Sequence, residues 1–336
     1  MRSYQTRWLR QSVGLAVGVA LCSVGVQAQG GQGTAKPRAA RSGDGPRTAW
    51  GHPDLQGIWT NTTTTPMQRP DELAGKTVLT DQERADRDRE NNTKRFIDQK
   101  PKQGETGAYN QFWFERGALT NQTSLIVDPP TGKFPEMTEA GKKRLDAQVA
   151  HRKAHPADSW LDRGPYDRCI SRGMPGAMVP GFYNHNYQIF QTKDYVAILV
   201  EMIHDVRIIP LDGRPHTSAR LGSWLGSSRG RWEGDTLVIE TRNTTNKLFE
   251  FPPTVAFGTG PTMQVVERIR RVDADTLDYQ FTVNDPTVFT KPWTVSTPMA
   301  KTDGPVFEYA CHEGNHAMSG ILSAERTAEK DAAAKK

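Results

Sequence analysis

The chain has 336 residues, a formal net charge of +5, 36% hydrophobic residues and three cysteines. That length allows a sizeable core in one large domain or two small ones. Three of the positive charges, Arg2, Arg7 and Arg10, lie in the first 28 residues, so the remainder is nearly balanced and shows no basic face of the kind nucleic acid requires.

Those first 28 residues read as a signal peptide. The three arginines form a positive start, Val13 to Val26 an apolar stretch, and Val26-Gln27-Ala28 a cleavage site with small outer residues. The apolar stretch is too short and glycine-rich for a membrane span, and Leu21 is too bulky for a lipid-attachment box at Cys22. The expected localisation is periplasmic or secreted, with no integral membrane segment in the mature chain. Residues 29–49 read as a flexible leader, 50–324 as a single β-rich domain with an N-terminal helical and irregular layer, and 325–336 as a disordered tail.

Within the domain, Asp54 to Trp59 suggests an entry strand. Thr80 to Gln99 is a polar helix opened by a Thr80/Glu83 capping box. Thr123 to Val127 is a short strand, and Thr138 to Ala154 a second helix stopped before Pro156. From Tyr183 onward the texture changes to strands and turns: Tyr187–Thr192, Tyr195–Ile209, Thr236–Thr241, Thr262–Arg271, Thr276–Asn284, Trp293–Thr297 and Pro305–Cys311. Helices do not alternate with these strands, which argues against a parallel doubly wound sheet. The expected fold is mainly β: an antiparallel barrel or sandwich, a calycin-like meander with a few peripheral helices.

Two cysteines follow the signal segment. In an oxidising compartment Cys169 and Cys311 are expected to pair, closing a loop of more than a hundred residues; two free thiols are the alternative.

Candidate chemistry lies in five places. Taken as one strand, Tyr195–Ile209 puts His204 on a face with Val196, Ile198, Val200, Met202, Val206 and Ile208, where a histidine would stay neutral. Glu201, Asp205 and Arg207 share the other face, either solvated or lining a lumen. In Arg168-Cys169-Ile170-Ser171-Arg172, two arginines flank a stapled loop and suit a carboxylate or phosphate; ion pairing with Asp162 or Asp167 is the simpler use. The run Phe182-Tyr183-Asn184-His185-Asn186-Tyr187-Gln188 is dense in groups that donate and accept. His216 follows a turn, with Trp224 and Trp232 as an aromatic wall or as core. Finally, His312-Glu313-Gly314-Asn315-His316 satisfies H-E-x-x-H, but Gly314 and Asn315 are poor helix formers, so a structural turn is expected over a zinc site.

Three blocks carry a resemblance: Arg168 to Gly176 (RCISRGMPG), Ser228 to Val238 (SRGRWEGDTLV) and Glu308 to Asn315 (EYACHEGN). They resemble those of a large group of uncharacterised exported bacterial proteins, over roughly Pro53 to Ala324. The resemblance implies export and brings no activity or catalytic residue with it. Relatives often carry tyrosine at the position of His316, which implies that zinc ligation there is not the group's common chemistry.

The functional expectation is an exported acid/base enzyme without a nucleotide cofactor, of lyase, isomerase or hydrolase type, acting on a small organic molecule or saccharide in a barrel pocket. His204 or His216 would be base or acid, Tyr187 the proton partner and Glu201 the carboxylate. Arg172, Asn184, Asn186 and Trp224 would bind substrate. The alternatives are a non-catalytic ligand-binding barrel and a metal-dependent hydrolase using His312 and His316.

Overall fold

The computed structural model describes residues 45–95, 115, 117–249 and 257–335. The expected signal segment and most of the expected leader lie outside them. Ten strands form one antiparallel sheet: β1 (Gly57–Thr60), β2 (Ile126–Asp128), β3 (Asn186–Gln191), β4 (Tyr195–Val200), β5 (Val206–Pro210), β6 (Ser227–Glu233), β7 (Thr236–Arg242), β8 (Gln264–Arg271), β9 (Thr276–Asn284) and β10 (Trp293–Lys301). Their order is β5-β4-β3-β1-β10-β9-β8-β7-β6, with short β2 paired to β10. The expected meander thus exists as two blocks, β3–β5 and β6–β10, and the N-terminal strand β1 joins them.

This sheet curls until it nearly closes into a barrel. Nine antiparallel strands in a row leave the two edges, β5 and β6, running in the same direction. They approach each other without a ladder. Segment 211–226 runs back along that seam: Thr217 N donates to Ser227 Oγ at 3.2 Å, and Arg229 Nε donates to the Pro215 carbonyl at 2.9 Å.

Strict alternation explains the core. Val265, Glu267 and Ile269 of β8 and Leu277, Tyr279, Phe281 and Val283 of β9 point inward. Trp59, Tyr187 and Trp293 fill the centre with them, each fully buried and each worth a few kcal/mol of apolar burial. The barrel is therefore packed rather than hollow at these levels. One buried ion pair sits among the rings. Arg207 reaches Glu267 with both terminal nitrogens, Nη1 to Oε1 at 2.9 Å, and Tyr279 Oη donates to the same Oε1 at 2.8 Å.

Among the described residues three α-helices lie outside the sheet: α1 (Asp81–Arg95), α2 (Glu139–Ala154) and α3 (Ala317–Ala334). Thr80 and Glu83 form the capping box at α1, and Thr138 caps α2 by accepting from Gly141 N at 3.0 Å. Cys169 and Cys311 form the disulfide. No helix among the described residues is long and apolar enough to cross a membrane.

Three local expectations need correction. Tyr195–Ile209 is not one strand: β4 ends at Val200, a 3-10 turn covers Met202–His204, and β5 returns antiparallel. Ile203 and His204 take left-handed backbone (φ +66° and +47°), a conformation that residue type does not announce. Burial of Met202 and Ile203 offsets its cost. The turn flips the alternation, so Arg207 and Ile209 point inward while Val206 and Ile208 face out. Second, residues 305–311 form no strand, since after β10 the chain leaves the sheet. Third, the expected disordered tail is the second half of α3, a helix favoured by its alanines and anchored by Arg326 Nη1 on the Asp158 carbonyl at 2.8 Å.

Candidate functional site

The two ends of the barrel differ. At one end β3–β4, β6–β7 and β8–β9 are joined by tight turns; Gly234, with φ +60°, supplies the left-handed residue in one of them. The long connections gather at the other end: the stretch after β1, the whole region between β2 and β3, the β4–β5 turn and the β7–β8 and β9–β10 loops. Loops carried on a rigid barrel are where function concentrates, and the polar candidates converge there.

The 168–176 block crosses this end as a plug. Met174, Ala177, Met178 and Val179 enter the core. Gly173 is left-handed (φ +67°), and a Cβ there would stand 2.0 Å from Leu248 Cδ2, so only glycine fits. Ser171 Oγ accepts from Gly173 N at 3.0 Å and donates to Asp205 Oδ2 at 2.9 Å. These contacts turn Arg172 inward, where it is 3% exposed against His185, 4% exposed. Arg172 Nη1 lies 3.1 Å from His185 Nε2. Burial, with the adjacent guanidinium second, holds His185 well below the usual imidazole range. It is a neutral imidazole at physiological pH. Burial also lowers Arg172 from the usual arginine value.

Phenols surround this pair. Burial pushes Tyr187 up to about 12, opposed by the charges of Arg172 and Arg207 and by Asn61. Tyr166 and Tyr183 are joined hydroxyl to hydroxyl at 3.2 Å. Burial raises Tyr166, as do its neighbouring phenols Tyr183 and Tyr309, and burial raises Tyr309. Tyr166, Tyr187 and Tyr309 therefore remain protonated at neutral pH and can donate. The Tyr187 hydroxyl, with Asn61 beside it, makes no hydrogen bond of good geometry among the described residues. Burial raises Asp205 too, opposed by the Ser171 hydroxyl and His204.

A cavity of about 350 Å³ opens beside this cluster, lined by Thr62–Met67, Glu115, Leu125 and Val179–Phe182. Gly181 forms the partition: a Cβ there would lie 1.9 Å from His185 Nε2. Glu115 stands at the rim, accepting from Asn184 N at 2.9 Å and Thr62 Oγ1 at 3.2 Å.

The sequence candidates divide accordingly. Tyr187, Arg172, Asn184 and Asn186 meet at this mouth. Glu201 meets them as an anchor: its carboxylate accepts from Asn186 Nδ2 at 2.8 Å and Phe307 N at 2.9 Å, which fastens the returning C-terminal segment. His204 is exposed on the β4–β5 turn, its Nδ1 2.9 Å from the Tyr309 carbonyl, and not on an apolar face. His216 lies at the barrel seam, its Nδ1 2.9 Å from the Ser227 carbonyl, and half-buried Trp224 sits in the same seam segment. His204, His216 and Trp224 therefore do not join the Arg172 cluster. His312 lies in a turn and His316 at the start of α3, so the H-E-x-x-H residues do not share a helix face. No group of three metal-ligating side chains occurs among the described residues.

Tyr166, Tyr309 and Glu115 were not among the candidates, while Tyr183 and His185 lay in the 182–188 run without being chosen as site residues. His185 was within reach, because carrying the inward alternation of Tyr187, Ile189 and Gln191 back by two residues selects it. No family model matches this chain, and no curated protein or solved structure matches it.

Proposed function

We propose that the protein is an exported acid/base enzyme of lyase or isomerase type that acts on a small organic anion at the long-loop end of the barrel. The observation that carries this reading is the convergence of Arg172, neutral His185 and protonated phenols behind a cavity of about 350 Å³. A cation and several neutral donors in a dry site suit stabilisation of a developing enolate or carboxylate oxyanion. In this reading Arg172 holds the anion and a tyrosine donates to it. His185 shuttles the proton, and Glu115 at the rim is the carboxylate available as base. The carrier reading loses support from the filled barrel centre, and the metal reading from the turn geometry of His312 and His316. Export rests on the signal-like start and is supported by the disulfide.

The test is a thermal-shift screen of the mature chain against acetate, malonate, malate and glucuronate. At least one should raise the melting temperature in a saturable way, and Arg172→Lys should abolish the rise while leaving the unliganded melt cooperative. If no anion stabilises the protein, or if Arg172→Lys responds like the parent, the proposal is wrong.

A further inference from the structure

The Arg168–Arg172 block sends its two arginines in opposite directions. Arg172 enters the mouth, whereas Arg168 turns outward and stacks on Trp160, its guanidinium carbon 4.6 Å from the ring centroid. Arg168 forms no ion pair among the described residues. The two acids beside it in sequence are engaged elsewhere: Asp167 with Arg163 at 2.9 Å and Asp162 with His151 at 3.0 Å. Arg168 is thus a cation fixed in place by an aromatic ring and left without a counter-charge.

Trp160 is itself unusual. It is 52% exposed and its neighbour Leu161 is 63% exposed. Both ride on a one-turn 3-10 helix, Trp160–Asp162, locked by a reciprocal capping box. Ser159 N donates to Asp162 Oδ2 at 2.7 Å, and Leu161 N donates to Ser159 Oγ at 3.2 Å. A tryptophan ordinarily gains by leaving water for the core. Here a rigid turn presents it to solvent.

Two hollows flank this ridge, and Arg168 lines both. One, of about 350 Å³, also has Trp160, His312 and Asn315 in its wall. The other, of about 210 Å³, has Arg152, Arg163, Lys247 and Asn246. Asp167 and Asp162 also stand in these walls, paired with Arg163 and His151; the two hollows, joined at Arg168, form a groove that still carries more cations than acids, side chains that both donate and accept, and one exposed indole face.

We propose that this groove binds an acidic saccharide. The C–H face of a sugar ring would pack on Trp160, and its carboxylate would take the free edge of the Arg168 fork. Arg152 and Lys247 would hold the next acidic residue of the chain, with Asn246 and His312 serving hydroxyls. A bare phosphate would use the cations and leave the indole idle; a neutral sugar would do the reverse. The acidic saccharide uses both. This site is separate from the Arg172 mouth and does not depend on the function proposed there.

The test is isothermal titration of the mature chain with an oligogalacturonate, the matching neutral oligogalactoside and inorganic phosphate, at low and near-physiological salt. The oligogalacturonate should bind, more weakly at higher salt. Trp160→Ala and Arg168→Gln should each lower its affinity by about tenfold or more, as loss of a ring platform or a charge-assisted fork implies. Both substitutions are at the surface, and an unchanged melting temperature verifies folding. Arg172→Lys should leave this binding intact. Absence of binding, equal binding of phosphate or of the neutral oligomer, or an unaltered affinity in Trp160→Ala would overturn the proposal.

Discussion

The ion pair inside the barrel allows a quantitative test of how its seam is held. β5 and β6 share no ladder, and the Arg207 side chain crosses the gap: it pairs with Glu267 on β8 and lies 3.5 Å from Ser228 Oγ on β6 and Thr241 Oγ1 on β7. Replacing Glu267 by Gln leaves a guanidinium buried without its counter-charge and weakens the acceptor of the Tyr279 hydroxyl. Breaking one partner of such a pair costs about 3–5 kcal/mol. At roughly 2–4 °C per kcal/mol for a domain of this class, the melting temperature should fall by about 6–20 °C. Urea unfolding of the mature chain measures the loss directly. The double replacement Arg207→Met with Glu267→Leu removes both charges and should recover most of it, because two apolar groups of similar volume satisfy each other. The reasoning fails if Glu267→Gln costs less than about 1 kcal/mol, or if the double variant is as unstable as the single one.

The other expectations are simpler to check. The Cys169–Cys311 bond closes a loop spanning 142 positions, so Cys169→Ser with Cys311→Ser should cost about 5 kcal/mol by the chain-entropy estimate, read from urea midpoints. His185 has a folded pKa below its unfolded value of 6.5, so the unfolded chain takes up the proton first as pH falls. Stability should therefore hold above about pH 6.5 and decline below it, and His185→Gln should flatten that part of the profile. Gly181→Ala drives a methyl into His185 and should cost about 1–3 kcal/mol as overpacking. His204→Ala removes the ring held on the Tyr309 carbonyl and puts alanine at a left-handed position, so it should cost about 1 kcal/mol although the site is exposed.

How far the sequence foretold this structure depended on whether periodicity stayed unbroken. The β8–β9 hairpin, the helix caps and the disulfide follow from alternation, capping residues and cysteine count, and the structure has all of them. The β4–β5 turn has no such signal. Glu201-Met202-Ile203-His204-Asp205 contains no glycine, proline or asparagine, yet two of its residues are left-handed. Every inference carried past it, including the apolar setting of His204, inverted. The mouth was legible in parts. The 168–176 and 182–188 blocks drew attention by composition, and both contribute. Their joining, and the arrival of Tyr166 and Tyr309 from distant segments, depends on the β1 bridge between two meanders and on the disulfide. The opposite aim of Arg168 and Arg172 likewise follows from the Ser171 hydroxyl held between Gly173 N and Asp205 and from the left-handed Gly173, contacts that composition does not announce.

The central claim is that an organic anion is received at the Arg172–His185 pair. The most direct measurement is the nitrogen NMR spectrum of the eight histidine rings, labelled with ¹⁵N, as malate, malonate and glucuronate are titrated into the mature chain. His185, identified by loss of its signals in His185→Gln, should show neutral-ring shifts without ligand and move on saturation with at least one of the anions, while His204 and His216 stay in place. A His185 that is protonated at neutral pH, or that no anion moves, would contradict the account.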